Sequence, residues 1–178
     1  VTDVEDQRDF VGTPDGFQRL WTPHRMAYIE GPRPTAHAGD GCPFCAAPAR
    51  SDPDGLIVAR GEHCYVVMNL FPYNPGHVLI CPYRHVPLYL DLTDEETTEF
   101  TALTKAALRA LEATSHPMGY NLGMNQGQVA GAGVAAHLHQ HVVPRWGGDS
   151  NFLPIIGQTK ALPLLLEDIR ARLAAAWD

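Results

Sequence analysis

The 178-residue chain is poor in basic residues and in cysteine, and it has no long hydrophobic run. Thirteen Lys and Arg against twenty Asp and Glu give a formal net charge of −7. Proteins whose main partner is a nucleic-acid backbone show a basic face, so that class is not expected here. A small polyanion held by histidines and backbone N–H groups stays compatible with the charge. No apolar stretch approaches the roughly 20 residues that cross a bilayer, so no membrane role is expected. The opening residues, VTDVEDQRDF, are acidic and polar where a secretory leader would be basic. A cytoplasmic protein follows as the expectation, with its four cysteines reduced.

What is present reads as globular: 45% apolar and 19% charged residues. No internal repeat or dividing linker is visible, so 1–178 is expected to be a single domain. Residues 1–16 read as a loose arm, and 17–30 as one or two short helices interrupted at Pro23. Residues 31–54, rich in Pro, Gly and Ala, read as a loop carrying CPFC. Beyond it, LIVAR (56–60) and HCYVVMN (63–69) are β-rich runs hinged at Gly61, a hairpin pattern. FPYNPGH (71–77) is a turn cluster, and HVLICPY (77–83) a third strand. Thr93 and Glu96 form a capping box ahead of a helix whose Phe100, Leu103, Ala107, Leu108 and Leu111 share one face. That helix should stop near His116–Pro117. GYNLGMN (119–125) and AAHLHQHVVP (135–144) read as strands four and five, around the glycine-rich QGQVAGAG (126–133). A last helix is expected over 162–177, with Pro163 near its first turn. Strands joined by short turns, with helices alongside, predict an α+β fold around an antiparallel sheet.

The fifth run carries His137, His139 and His141 at strict alternation. On a strand these imidazoles share one face, roughly 7 Å apart from one to the next. Leu138 and Val142 then face the core. Two chemistries fit. Three imidazoles can hold a metal. Alternatively, a neutral imidazole can attack phosphorus covalently while its neighbours assist charge and leaving group. The glycine loop before the histidines, free of bulky side chains, suits converging backbone amides on an anion and favours phosphorus chemistry.

HLHQHVV (137–143) fits His-φ-His-φ-His-φ-φ, with Gln140 as a polar departure. Together with NLFPYNPGHVLICPYRHV (69–86) it resembles the histidine triad superfamily of nucleotide hydrolases and transferases, over about 42–146. The resemblance implies a five-stranded antiparallel sheet with flanking helices, dimerising through the sheet region. It implies His139 as nucleophile, His141 at the phosphate and leaving group, and His77 as an orienting histidine. Asn69 would contact the ribose, Asn125 the phosphate chain, and Gly133 and Val134 would line the loop. Family members often carry a hydroxyl residue at that loop, and Val134 has none, so only backbone contact is expected there.

A lone C-x-x-C leaves open a metal knuckle or two ordinary reduced cysteines. The resemblance supplies a full structural zinc set: Cys42, Cys45, His85 and His137. Cys64 and Cys81, within strands, are expected as small core residues. No organic cofactor is expected. The stretch after the histidines, PRWGGDSNFLPIIGQTK, resembles members of the diadenosine tetraphosphate phosphorylase or hydrolase type, which implies cleavage of diadenosine polyphosphates with inorganic phosphate favoured over water as acceptor. Within the family a nucleoside phosphoramidase is the alternative; outside it, a three-histidine metal-binding protein. Arg145 and Lys160 are either contacts to distal phosphates or ordinary surface cations.

Overall fold

The computed structural model describes residues 41–149 and 163–177. The expected arm over 1–16, the helices over 17–30 and Lys160 lie outside them. The described elements are α1 (Pro43–Ala46), β1 (Ile57–Arg60), β2 (Cys64–Met68), β3 (Val78–Pro82), α2 (Asp94–Ser115), β4 (Gly119–Met124), β5 (Gln140–Arg145) and α3 (Leu166–Ala175). The strands form one antiparallel sheet in the order β1-β2-β3-β5-β4, as expected for the α+β class.

Period-two alternation divides the sheet's two faces. Val66, Met68, Val78, Ile80 and Val142 point to one side, where they pack with Phe100, Ala107 and Leu111 of α2 and with Ile169 and Leu173 of α3. Tyr65, Val67, Leu79 and Cys81 point to the other side, where Phe44 and Tyr83 cover them. Cys64 and Cys81 are both fully buried, as expected. Helix α2 begins where the capping box sets it: Thr93 Oγ1 accepts the Glu96 N–H at 3.2 Å, and Glu96 accepts the Thr93 N–H at 2.8 Å. Phe100, Ala107 and Leu111 are buried, and Leu103 and Leu108 pack at the edge of that core. The helix ends at His116, in the left-handed conformation with φ of 44°, because Pro117 disfavours a helical residue before it.

Three expectations are corrected. The stretch around CPFC is not a plain loop: Pro43 opens a helical turn, and a 3-10 turn follows over Ala47–Ala49. Strand five begins at Gln140 rather than 135. Its neighbours explain this: β4 ends at Met124, opposite Gln140, and Leu138 gives its N–H to Val86 O at 2.7 Å instead of to β3. The final helix begins at Leu166, with Pro163 lying ahead of it.

Candidate functional site

The turn between β2 and β3 places the first histidine. Gly76, at φ of 83°, lets the chain double back, and a Cβ there would sit 2.9 Å from Leu111 Cδ2. Buried Asn74 ties the turn to β5, giving its side-chain N–H to Pro144 O at 2.8 Å and to Asp149 Oδ2 at 2.7 Å. His77 is thereby fully buried. Its Nδ1 accepts the Tyr73 N–H at 3.0 Å, with the Asn69 amide at 3.3 Å.

Hydrogen-bond partners assign the tautomers. Because His77 Nδ1 accepts, Nε2 of the neutral ring carries the proton and donates it to His141 Nδ1 at 2.9 Å. His141 in turn keeps its own proton on Nε2. His139 Nδ1 faces the carbonyl of His137 at 2.9 Å, which can only accept. His139 therefore bears its proton on Nδ1, and its Nε2 holds a lone pair. Burial lowers the pKa of His139, only partly offset by that carbonyl. Burial, followed by the neighbouring His139, pushes His141 down to about 4. Both rings are neutral near pH 7. Their centroids are 5.1 Å apart, and Tyr73 stacks on His141 at 5.7 Å with planes 17° apart.

The three histidines do share one side, although only His141 lies in the strand. Leu138 and Val142 enter the helix-side core. Gln140, the polar departure, points toward α2 and donates to the Thr104 hydroxyl at 3.2 Å. His141 opens into a cleft of about 340 Å³ shared with Tyr73, Asn121, Asn125 and Arg145. Asn69 does not line that cleft and lies against His77 instead. The glycine loop is an ordered turn: Gly127 and Gly131 have φ of 81° and 82°, flanking Gln128–Ala130. The N–H groups of Ala130, Gly131 and Ala132 bond to carbonyls within this turn, which removes those three from an anion cradle. Gly133 is exposed and Val134 half-buried in the turn that follows. Arg145 is engaged, forking onto Asp149 at 2.6 and 2.9 Å and donating to Asn121 at 2.7 Å.

Beside the histidines, Cys42, Cys45, His85 and His137 bring four donor atoms within 4.8 Å of one another. Pro43 at the first helical position makes CPFC one turn, and Ala46 N–H bonds Cys42 O at 3.1 Å. His137 Nε2–H donates to Pro82 O at 2.9 Å, leaving the Nδ1 lone pair toward both thiols at 3.5 Å. Cys45 Sγ lies 3.2 Å from His85 Nδ1. Tetrahedral zinc with Zn–S of about 2.3 Å and Zn–N of about 2.0 Å separates S from N by roughly 3.5 Å. The donor set and its spacing fit such an ion. His139 and His141 do not belong to the cluster, so the geometry is not that of a three-histidine metal centre.

Sequence reasoning passed over Phe44, Tyr73, Asn74 and Asp149. Phe44 and Tyr73 stood inside motifs it had quoted, CPFC and FPYNPGH. Asp149 carried no local signal.

The HIT domain model matches residues 50–148. The AP-4-A phosphorylase of Mycobacterium tuberculosis is 51% identical over 171 residues, covering 94% of this chain and 88% of that protein. A bifunctional bis(5'-adenosyl)-triphosphatase/adenylylsulfatase of Arabidopsis thaliana is 35% identical over 60% of this chain and 58% of its own length. Among solved structures, a Zn-bound histidine triad family protein from Mycobacterium smegmatis has a TM-score of 0.61 at 25% identity, covering 76% of this chain and 92% of that one. With a family model spanning more than half its length and a relative matching nearly all of it, the chain belongs to the HIT domain family.

Proposed function

We propose that the protein is a diadenosine polyphosphate phosphorylase that works through a covalent nucleotidyl-histidine. The 51% identity to an AP-4-A phosphorylase over 94% of the chain carries this reading. The tautomers fit it. His139 Nε2, with its lone pair, attacks the α-phosphorus. A P–N bond forms, the P–O bond to the remaining polyphosphate breaks, and the electron pair leaves with that oxygen. His141 Nε2–H faces the leaving oxygen and donates a hydrogen bond to it, steadying the negative charge that the polyphosphate carries away. An oxygen of inorganic phosphate then attacks the same phosphorus, and the electron pair of the P–N bond returns to Nε2. Diadenosine tetraphosphate and phosphate thus become ATP and ADP. His77 holds His141 in the donating tautomer, and Asn125 contacts the phosphate chain from the shared cleft. Asn69 contacts the ribose and also steadies His77. Gly133 and Val134 offer backbone contact only.

Cys42, Cys45, His85 and His137 hold one zinc, which when bound cross-links α1 to the segment before β5. The 3.2–3.5 Å spacing of sulfur and nitrogen supports this. The chain acts as one domain, as a homodimer, in the cytoplasm; no helix among the described residues is long and apolar enough to cross a membrane.

Diadenosine tetraphosphate incubated with and without inorganic phosphate tests the reading. ADP plus ATP should form only with phosphate. AMP plus ATP without phosphate would replace phosphorolysis by hydrolysis. Failure of both, with rapid release of AMP from an adenosine phosphoramidate, would overturn the substrate class.

A further inference from the structure

His139 lies one residue before β5 and is paired in register with no residue of β3 or β4. The orientation of its imidazole rests on the contacts that the ring itself makes. One is the Nδ1–H bond to His137 O, and another is His141 at 5.1 Å. A third comes from Phe44, inside CPFC, whose ring centroid lies 4.8 Å from that of His139 with planes 40° apart. The same ring meets His137 nearly edge-on at 5.6 Å. Phe44 is itself anchored, because its carbonyl accepts the hydroxyl of fully buried Tyr65 at 2.6 Å. Its two flanking positions in the turn carry Cys45 and, through Pro43, Cys42.

We propose that Phe44 is a positioning residue: its ring braces the His139 imidazole so that the Nε2 lone pair keeps one direction. The proposal rests on the reading of His139 as nucleophile. A side chain free on one flank visits other rotamers and can exchange its proton between the two nitrogens. Either change removes the attacking lone pair from line with phosphorus, and small misalignments are costly to a step that depends on near-attack geometry. Substrate binding should survive, since Phe44 acts on the imidazole. The zinc ligands also stay in place, so metal content should not move.

The test uses Phe44→Leu, which keeps apolar bulk without a flat ring, Phe44→Ala, and Phe44→Tyr, which restores the ring. Nitrogen-15 NMR of the histidine rings reads the His139 tautomer, metal analysis reads zinc, and steady-state kinetics read kcat and KM. Expected for Phe44→Leu and Phe44→Ala is a fall in kcat of about tenfold or more, with KM within about twofold. Zinc per chain should be unchanged, and His139 should show signals averaged between two tautomers. Phe44→Tyr should recover the single tautomer and most of kcat. Wild-type kcat with one His139 tautomer in Phe44→Leu would overturn the proposal. So would a loss of kcat that merely follows loss of zinc, because Phe44 would then act only through the metal cluster. Mass spectrometry of trapped nucleotidyl-enzyme separates the two levels: an adduct on any residue but His139 in the wild type would remove the nucleophile assignment itself, whatever the Phe44 variants do.

Discussion

Replacing His77 by Phe isolates the relay that sets the tautomer of His141. A phenyl ring keeps most of the volume at a fully buried position, so the main change is polar. The bonds lost include Tyr73 N–H to Nδ1 at 3.0 Å, the Asn69 amide to Nδ1 at 3.3 Å and Nε2–H to His141 Nδ1 at 2.9 Å. A stranded buried donor costs about 1–3 kcal/mol, so the fold should lose roughly 2 kcal/mol. For a chain of this size that is a drop of about 4–8 °C in Tm. The catalytic effect is separable. A hydrogen bond of about 1 kcal/mol biases His141 toward its Nε2–H form. Each 1.36 kcal/mol is tenfold in rate, so kcat should fall about five- to tenfold while KM holds. His77→Gln retains a donor close to the position of Nε2 and should recover part of the rate. Single-turnover release of ATP from diadenosine tetraphosphate reads the chemical step directly. If His77→Phe releases ATP at the wild-type rate, or if Gln and Phe behave alike, the relay does not operate.

Other outcomes follow from the same geometry. Because burial and then His139 lower His141 to about 4 from 6.5, the unfolded chain binds more protons between those values. Stability should therefore fall as pH drops through that window, and His141→Gln should flatten the Tm–pH curve there; an unchanged curve would contradict the assignment. Purified protein should carry one zinc per chain; Cys45→Ser should lose it on dialysis and melt lower, whereas Cys64→Ala should keep it, and equal zinc in both variants would exclude the Cys/His cluster. Gly76→Ala should cost about 2 kcal/mol in urea unfolding, from a left-handed φ of 83° and a Cβ 2.9 Å from Leu111; a change below about 0.5 kcal/mol would mean that the turn relaxes freely.

Local rules sufficed wherever the determinants lie close along the chain. The Thr93–Glu96 box, the stop before Pro117 and the β-rich runs of β2 and β3 involve residues close along the chain, and all three were legible. The alternation of His137, His139 and His141 was legible too, but the start of their strand was not. That boundary depends on where β4 ends and on the bond of Leu138 to Val86, which residues 135–140 cannot encode. The resemblance to histidine triad proteins brought His85 and the CPFC cysteines into one set; composition and spacing left CPFC open between a knuckle and two plain thiols.

The sequence by itself determined the elements, the family pattern and the residue types available for chemistry. Tertiary structure decided which nitrogen of each imidazole carries the proton, which amides of the glycine turn are already used, and that Phe44 lies against His139. The reason is distance along the chain. Cys42 meets His137 across 95 positions, and His77 meets His141 across 64. Such contacts arise only once the β3–β5 pairing and the turn at α1 bring remote segments together, and a proton's place on a ring depends on the partner that arrives.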